Sequence, residues 1–193
     1  YPTITLDPEG NAYMCWNDIN NWAEGLHQVI YSAAGVKWWG VHRIIDGEDI
    51  SWSAMLAPMR LWAWTLYQDS RTGVERVYAY GGSNPGTLIS PDPGPTERPR
   101  MAGAEGHPIY VVWQDYEDGK WEIDAREWDD AGNFYPGIIS VSNSPADATV
   151  PDIDTDGHGR YYIVWKDTRD GNNEIYLSDM QIGGYGNLAG TVT

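Results

Sequence analysis

The sequence predicts an all-β protein built from four copies of one antiparallel unit. The main observation is an apolar strand that ends in an aromatic residue with Asp two positions later, and it occurs about every 50 residues. The second is that 22 Gly and 12 Pro leave no stretch with convincing helical periodicity. The third is a tight-hairpin signal after this strand, Asp118-Gly119 in the third copy and Asp170-Gly171 in the fourth, since such turns need positive φ. The aromatic residues of the four copies are Trp16, Tyr67, Trp113 and Trp165.

Each copy contains four strands in the same order. A first strand precedes the apolar strand, and its aligned positions are Ile4, Met55, Met101 and Ile153. The third strands follow the turn and cover Gln28–Tyr31, Glu75–Tyr78, Trp121–Asp124 and Asn173–Tyr176. The weaker fourth strands lie around residues 37–44, 86–89, 137–141 and 188–192. We therefore predict one domain, 1–193, whose repeats are approximately 1–51, 52–98, 99–150 and 151–193.

The apolar strand has apolar side chains on both of its faces. Residues 110–113, Tyr-Val-Val-Trp, show this clearly, whereas a sheet with one solvated face alternates polar and apolar residues. Two buried faces are what a blade stacked between two other blades requires. The sequence thus predicts a β-propeller of four repeated four-stranded antiparallel blades, or a four-blade segment of a larger propeller. Two arrangements stay open. Four blades could close a ring by themselves, or this chain could form half of a ring that a second chain completes.

The fourth copy has the most regular pattern. From Pro151 to Tyr176 it reads Pro-x-Ile, then Gly-x-x-Tyr-Ile-Val-Trp-x-Asp-x-Arg-Asp-Gly-Asn-x-Glu-Ile-Tyr. This pattern resembles the repeats of bacterial secreted, sialidase-like β-propellers, and the resemblance covers the whole chain. It implies a propeller, but such propellers serve as glycosidases, lectins and scaffolds alike. The sequence lacks the sialidase Asp-box, Ser-x-Asp-x-Gly-x-Thr-Trp, so the resemblance does not imply sialidase activity.

Charge and composition narrow the class of partner. The chain carries 28 acidic and 12 basic residues, a formal net charge of -16. That charge disfavours nucleic acid and anionic membrane surfaces, both of which attract Lys and Arg, and no apolar stretch is long enough to span a bilayer. An acidic surface suits a secreted or surface-attached protein, so we expect an extracellular or cell-surface location. Because the chain starts at Tyr1 without Met or a signal peptide, we expect it to be either processed or part of a longer chain. The single cysteine, Cys15, lies in an apolar strand, where we expect a buried and inert thiol.

Residues that differ between the copies are the candidates for ligand binding. The Asp shared by all four copies is expected to accept hydrogen bonds from the turn that follows it. In a propeller these turns emerge on one side, and here they carry aromatic residues flanked by Asn, Asp and Arg, which suit sugar rings. For Trp121, packing against its own blade is the alternative. The predicted ligand-binding residues are Trp22, Arg71, Tyr116, Trp121, Arg169 and Asn172.

A second candidate site is a run of alternating carboxylates, Asp152, Asp154 and Asp156, followed by Gly157. Its spacing resembles the start of a calcium loop, in which hard oxygen ligands surround a tight turn. Arg160 stands at the ninth position and no closing Glu follows, so the ligand set is incomplete. We predict Ca²⁺ as the one cofactor of the chain, with the alternative that these Asp residues only line a central channel.

The sequence favours an extracellular, non-catalytic binding or scaffold propeller that recognises carbohydrate or a protein partner through its turn loops. One alternative is a glycoside-active enzyme domain that uses inner-strand carboxylates as acid, base or nucleophile. Another is a structural repeat subunit of a surface assembly, with self-association completing a larger ring. The carboxylates available for the enzyme alternative are Asp7, Glu105, Asp152, Asp154 and Asp156.

Overall fold

The computed structural model describes residues 2–18, 25–46, 50–59, 62–81, 86–91, 93–129, 133–181 and 184–192. Within these ranges the chain forms β-strands and no helix. It divides into two compact units, Tyr1–Pro91 and Asp92–Thr193. Each unit contains two four-stranded sheets in which every strand pairs antiparallel with the next one along the chain. The predicted all-β fold of four-stranded antiparallel units is therefore confirmed.

The sheets are numbered here in chain order. Sheet 1 contains β1 (Thr3–Leu6), β2 (Ala12–Asp18), β3 (Gly25–Tyr31) and β4 (Lys37–Asp46). Sheet 2 contains β5 (Ile50–Met59), β6 (Trp62–Asp69), β7 (Arg76–Tyr80) and β8 (Thr87–Leu88). Sheet 3 contains β9 (Thr96–Ala102), β10 (Ile109–Glu117), β11 (Lys120–Trp128) and β12 (Ile139–Ser140). Sheet 4 contains β13 (Ala148–Thr155), β14 (Arg160–Asp167), β15 (Glu174–Gln181) and β16 (Gly184–Val192).

In the second unit, sheets 3 and 4 pack face to face around one apolar core. The first strands, β9 and β13, contact each other, and β13 also contacts β10 and β11. Tyr110 and Tyr161 meet across this core with ring centroids 4.5 Å apart. Strand β10 is buried on both faces from Ile109 to Asp115, as its sequence predicts. Each fully buried aliphatic side chain stabilises such a core by about 1.5–3 kcal/mol.

Both first strands of this unit carry the same bulge just before a proline. Arg98 and Val150 have φ values of 54° and 57°, a left-handed conformation that non-glycine residues seldom adopt. The pairing of each strand with its neighbour shifts register at this point, as a bulge requires. The Val150 N–H donates to Gln114 Oε1 at 3.0 Å, so sheet 3 holds the bulge of sheet 4.

The two predicted tight hairpins have different outcomes. Asp118 and Gly119, with φ of 51° and 86°, join β10 to β11 directly, as predicted. The same sequence at Asp170 and Gly171 lies in a six-residue connection, because β14 ends at Asp167. The tight hairpin predicted there is wrong. Side-chain bonds from this connection to Asp167, described below, hold it open.

Candidate functional site

The shared Asp of the fourth copy anchors the turn that follows it. Asp167 is buried, and its carboxylate accepts hydrogen bonds from Ser144 Oγ, Trp165 Nε1 and the Arg169 backbone N–H. Burial raises the pKa of Asp167, but the hydrogen bonds from Arg169, Trp165 and Ser144 outweigh it and hold the pKa below its usual value. The expected hydrogen bond from the turn is therefore confirmed here, and it recurs from the Arg71 N–H to Asp69 at 2.9 Å.

The two predicted ligand-binding arginines lie against their own sheets. Arg169 Nη2 donates to Asp167 Oδ2 at 2.6 Å and to the Ser142 carbonyl at 2.9 Å, and its guanidinium lies 4.3 Å from the Tyr176 ring centroid. Arg71 is paired with Asp69 through its guanidinium. Both arginines therefore stabilise the turns in which they lie. Ligand binding by either stays a prediction.

The other predicted binding residues do not converge on one point. Tyr116 is exposed and packs edge-on against Trp121, with ring centroids 5.2 Å apart. Asn172 is exposed and donates to Glu174 Oε1 at 2.9 Å within its own turn. Trp22 lies outside the described residues. The Tyr116–Trp121 pair is thus the aromatic surface on the described part of the turn side, and sugar binding there stays a prediction.

The predicted calcium residues lie on and just beyond β13, with exposed carboxylates. Asp156 Oδ1 accepts the N–H groups of His158 and Arg160 at 2.7 and 3.1 Å, which lowers the pKa of Asp156. Asp152 and Asp154 each accept the N–H of the next residue. Among the described residues, no three His, Cys, Asp or Glu side chains lie close enough to share an ion. Calcium binding by this run stays a prediction.

Asp156 has a structural counterpart in the first sheet. Asp7, one of the carboxylates considered for catalysis, is buried and accepts the N–H groups of Glu9 and Asn11 at 3.1 and 2.8 Å. It also accepts the side chains of Asn11 and Tyr13. In both loops the Asp carboxylate accepts the N–H groups two and four residues later along the chain. This shared pattern indicates that Asp7 and Asp156 stabilise turns.

Asp152 and Asp154 remain as exposed carboxylates on a first strand, at alternate positions and therefore on one face. Their cross-strand partners on β14 are Val164 and Tyr162. Arg100, on the neighbouring strand β9, lies with its Nε 3.7 Å from Asp152 Oδ1. Burial lowers the pKa of Arg100, and Asp152 opposes that shift.

An exposed aromatic residue completes this group. Tyr162 lies between Asp154 on β13 and Asp179 on β15 in the register of sheet 4, and it is among the exposed large side chains. Arg160 reaches Asp179 Oδ2 at 3.7 Å. Carboxylates, a guanidinium and an exposed ring on one surface can hydrogen-bond and stack on a sugar. Tyr162 is not among the residues predicted from the sequence, because all four copies have an aromatic residue at this position and a shared residue predicts packing.

A small cavity lies at the same end of the sheets as the β13–β14 loop. It measures about 190 Å³ and is lined by Gly106, His107, Pro108, Asp129 and Tyr135. The Pro108 carbonyl accepts the hydroxyl of Tyr161, whose pKa burial raises to about 12. Asp129 accepts the backbone and side chain of Asn133 at 2.7 and 2.8 Å. These bonds shape the loops around the cavity.

Comparison with known proteins gives a fold likeness. No protein-family model and no curated protein sequence matches the chain. The structure is similar to that of an endo-arabinase from Bacteroides thetaiotaomicron VPI-5482, with a TM-score of 0.61 at 14% identity, over 99% of this chain and 78% of that one. It is also similar to the catalytic domain of a GH62 α-L-arabinofuranosidase from Coprinopsis cinerea, with a TM-score of 0.50 at 10% identity, over 95% and 65% of the two chains.

These likenesses establish the β-propeller fold of the chain. The number of blades stays a prediction. The likeness does not extend to sialidase-like repeats in particular, because the similar structures are glycoside hydrolases of another kind. The preference for a non-catalytic binding or scaffold module is wrong, since two solved structures that share the fold are an endo-arabinase and an α-L-arabinofuranosidase. No helix among the described residues is long and apolar enough to cross a membrane.

Proposed function

We propose that this chain is a glycoside-active enzyme domain in which Asp152 and Asp154 act on the glycosidic bond. The observation that carries the proposal is the pair of exposed carboxylates at alternate positions of β13, beside Arg100 and Tyr162. Its support from outside the chain is the fold likeness to an endo-arabinase over nearly the whole sequence.

The spacing of the two carboxylates suits glycoside hydrolysis. Residues two apart on a strand have Cα atoms about 7 Å apart. Glycosidases hold their two carboxyl groups roughly 5–5.5 Å apart to retain configuration, or roughly 6.5–9.5 Å apart to leave room for a water molecule. One carboxyl protonates the departing oxygen, and the other attacks the anomeric carbon or activates water.

The surroundings divide the roles between the two carboxylates. Arg100 Nε lies 3.7 Å from Asp152 Oδ1 and can hold that carboxylate in place, so Asp152 is the proposed base or nucleophile. Asp154 is then the proposed acid, and it lies beside Tyr162 across the strand pair. Tyr162 offers a ring face for stacking on a sugar, and Arg160 offers donors for its hydroxyl groups.

Arabinose-containing polysaccharide is the substrate class to test first, because both similar structures discussed above belong to enzymes of that class. A polymeric glycan is met outside the cell, so the proposal includes an extracellular location. A calcium ion near Asp152–Asp156 is not required by this chemistry.

Release of reducing ends from linear arabinan, branched arabinan and control glycans tests the proposal. Asp152→Asn and Asp154→Asn should each lower kcat about 10²- to 10⁴-fold, with the folded state checked by thermal melting. Glu117→Gln is the matched control, since Glu117 is an exposed carboxylate at the turn end of β10. No hydrolysis of any glycan, or equal rates in the control and in both Asp variants, would refute it.

A further inference from the structure

The small cavity between two loops of sheet 3 has no part in the proposed chemistry. It measures about 190 Å³ and lies between the loop before β10 and the loop after β11. The described residues that line it are Gly106, His107, Pro108, Asp129 and Tyr135. None of these five belongs to the group of side chains proposed above to act on the glycosidic bond. The cavity is therefore a separate place at which a ligand can bind.

The loop after β11 is fixed by bonds of its own. The Asp129 N–H donates to the Asn133 carbonyl at 3.0 Å, and the Asp129 carboxylate accepts two N–H groups of Asn133 in return. Phe134 forms a β-bridge with Trp128, and their ring centroids lie 5.2 Å apart. The Tyr135 N–H donates back to a carbonyl of β11 at 3.0 Å. This wall of the cavity is preformed, so a ligand has little chain to order when it binds.

The loop before β10 is fixed in a similar way. The His107 N–H donates to the Ala104 carbonyl at 3.0 Å, and Gly106 adopts a φ of 74° in the turn between them. The Pro108 carbonyl accepts the hydroxyl of Tyr161 from sheet 4. Both walls of the cavity are thus held by bonds within the second unit, Asp92–Thr193.

Two of the lining side chains keep their polar atoms available. Within the described part of the chain, the His107 imidazole and the Tyr135 hydroxyl form no hydrogen bond with the protein, although the backbone N–H of each residue does. A neutral imidazole carries one donor and one acceptor, and a phenol hydroxyl serves as both. The Asp129 carboxylate has about four acceptor sites, and Asn133 uses two of them. Donors and acceptors side by side are what the hydroxyl groups of a ligand require, because each hydroxyl both donates and accepts.

Charge favours a neutral ligand. The described lining contains one carboxylate, Asp129, and neither Lys nor Arg, so a phosphate, a sulfate or an acidic sugar lacks the cations that bind it. Glu105, exposed in the same loop, and the net charge of -16 act in the same direction. No group of three metal-ligating side chains occurs among the described residues, so the lining does not suit a metal ion either.

Size limits the ligand to one ring. Liquid water takes about 30 Å³ per molecule, so a cavity of about 190 Å³ has room for about six water molecules or for a single sugar ring. Pockets for drug-sized ligands measure roughly 300–1,000 Å³. The cavity is too small for an oligosaccharide, and the rest of a longer glycan has to leave through its mouth, where Tyr135 is 49% exposed.

We propose that this cavity binds one neutral sugar unit of a glycan through His107, Asp129 and Tyr135. The three side chains bond to the hydroxyl groups of the sugar, and Pro108 supplies an apolar contact for its ring. Binding at this site needs no hydrolysis. The choice of arabinose as the first sugar to test rests on the proposed function, which names an arabinose-containing polysaccharide as the substrate class.

A second binding point has a defined kinetic effect on a polymeric substrate. Contacts far from the bond that breaks are equally strong in the ground state and in the transition state, so they lower KM and leave kcat unchanged. The cavity should therefore matter for arabinan. It should not matter for a small chromogenic arabinofuranoside, which has a single sugar unit to place at Asp152 and Asp154.

Proton NMR of the histidine rings measures binding directly. The chain has four histidines, and His107→Gln identifies the His107 signal by removing it. Titration with methyl α-L-arabinofuranoside to about 100 mM should shift this signal with a Kd of about 1–10 mM, because so small a ligand reaches only weak affinity. The signals of His27 and His42, which lie in the other unit, should stay in place.

Removal of one hydroxyl group tests the assigned contacts. Tyr135→Phe should weaken binding of the arabinofuranoside about five- to tenfold, the loss expected for one hydrogen bond. On arabinan it should raise KM about three- to tenfold with kcat unchanged. Tyr31→Phe is the matched control, because Tyr31 is a partly buried tyrosine at the end of β3 in the other unit, and it should behave like the wild type in both assays.

The outcomes separate this site from the catalytic proposal. A His107 signal that does not move with methyl glycosides of arabinose, xylose or glucose would overturn the sugar site, and so would a shift caused by inorganic phosphate or choline instead. A shift with xyloside or glucoside alone would support the sugar site and contradict arabinose as its ligand. A shift with arabinofuranoside and no hydrolysis of any glycan would support the sugar site and refute the catalytic pair.

Discussion

Replacing Asp167 with Asn removes the charge that holds the turn of sheet 4 while keeping the size of the side chain. Asp167 Oδ1 accepts Ser144 Oγ at 3.0 Å and the Arg169 N–H at 2.9 Å. Its Oδ2 accepts Trp165 Nε1 at 3.1 Å and Arg169 Nη2 at 2.6 Å. The Asn oxygen can keep the first pair. The Asn NH₂ group then faces Trp165 Nε1 and Arg169 Nη2, and it cannot accept a hydrogen bond from either donor.

The magnitude follows from these two lost bonds. Each buried group left without a partner costs about 1–3 kcal/mol, and breaking a buried ion pair costs roughly 3–5 kcal/mol. Arg169 is 20% exposed, so water can solvate part of its charge and the lower end applies. We expect Asp167→Asn to lower the free energy of unfolding by about 3 kcal/mol at pH 7.

The effect should depend on pH in a defined direction. The folded pKa of Asp167 lies below its usual value of 3.8, so its contribution is present above the unfolded pKa and is lost as pH falls through the folded pKa. The difference between wild type and Asp167→Asn should therefore shrink as pH is lowered below about 4. Asn does not titrate, so the variant lacks this component.

Urea unfolding followed by Trp fluorescence measures both effects. Asp118→Asn is the control, because it removes an exposed charge from a turn residue with φ of 51°, a conformation that Asn adopts readily. The control should change stability by less than about 0.5 kcal/mol. A loss below about 1 kcal/mol in Asp167→Asn, or an equal loss at pH 7 and pH 3, would refute the assigned hydrogen bonds.

Four further outcomes are expected. Cys15 should not react with Ellman's reagent in the folded protein at pH 8, because burial raises its pKa to about 12. Gln114→Leu should cost about 2 kcal/mol in urea unfolding, since the Val150 N–H loses its acceptor. The predicted calcium site should appear as a melting temperature that rises with Ca²⁺ and no longer does so in an Asp152→Asn, Asp154→Asn double variant. Asp154→Ala should abolish hydrolysis while changing the free energy of unfolding by less than about 0.5 kcal/mol, because Asp154 is exposed.

Each of these has a result that contradicts it. Rapid thiol labelling without denaturant would place Cys15 at the surface. A Gln114→Leu variant as stable as the wild type would show that the β13 bulge holds itself. An unchanged melting temperature from zero to millimolar Ca²⁺ would remove the calcium prediction. An Asp154→Ala variant that hydrolyses arabinan at the wild-type rate would remove Asp154 from the proposed pair of carboxylates.

The strands could be predicted from the sequence because the pattern of each strand recurs in four copies. A run with apolar side chains on both faces, such as Tyr-Val-Val-Trp at residues 110–113, predicts a strand that is buried on both faces, as β10 is. Local turn chemistry was a weaker guide. Asp118 and Gly119 close a hairpin, while the same pair at Asp170 and Gly171 does not, since buried bonds to Asp167 override the local preference.

The functional prediction failed for a physical reason. Residues shared by all four copies predict what a blade needs in order to fold, and they do not distinguish an enzyme from a binding module. Arg71 and Arg169 are not shared by all four copies, yet each forms an ion pair with the Asp two positions before it. The motifs that identify the fold say nothing about chemistry, because glycosidases and binding modules share it.

A repeat specifies which residues stand on a face, but not whether that face is covered. Tyr110 and Tyr162 occupy one position in the repeat; the first is buried against Tyr161 and the second is exposed beside Asp154. Exposure at a repeated position is decided by the next sheet, which no single copy encodes. In sheet 4 a residue that the repeat places for packing is exposed, and Asp154, at the position of Ala102 in sheet 3, puts a carboxylate beside it.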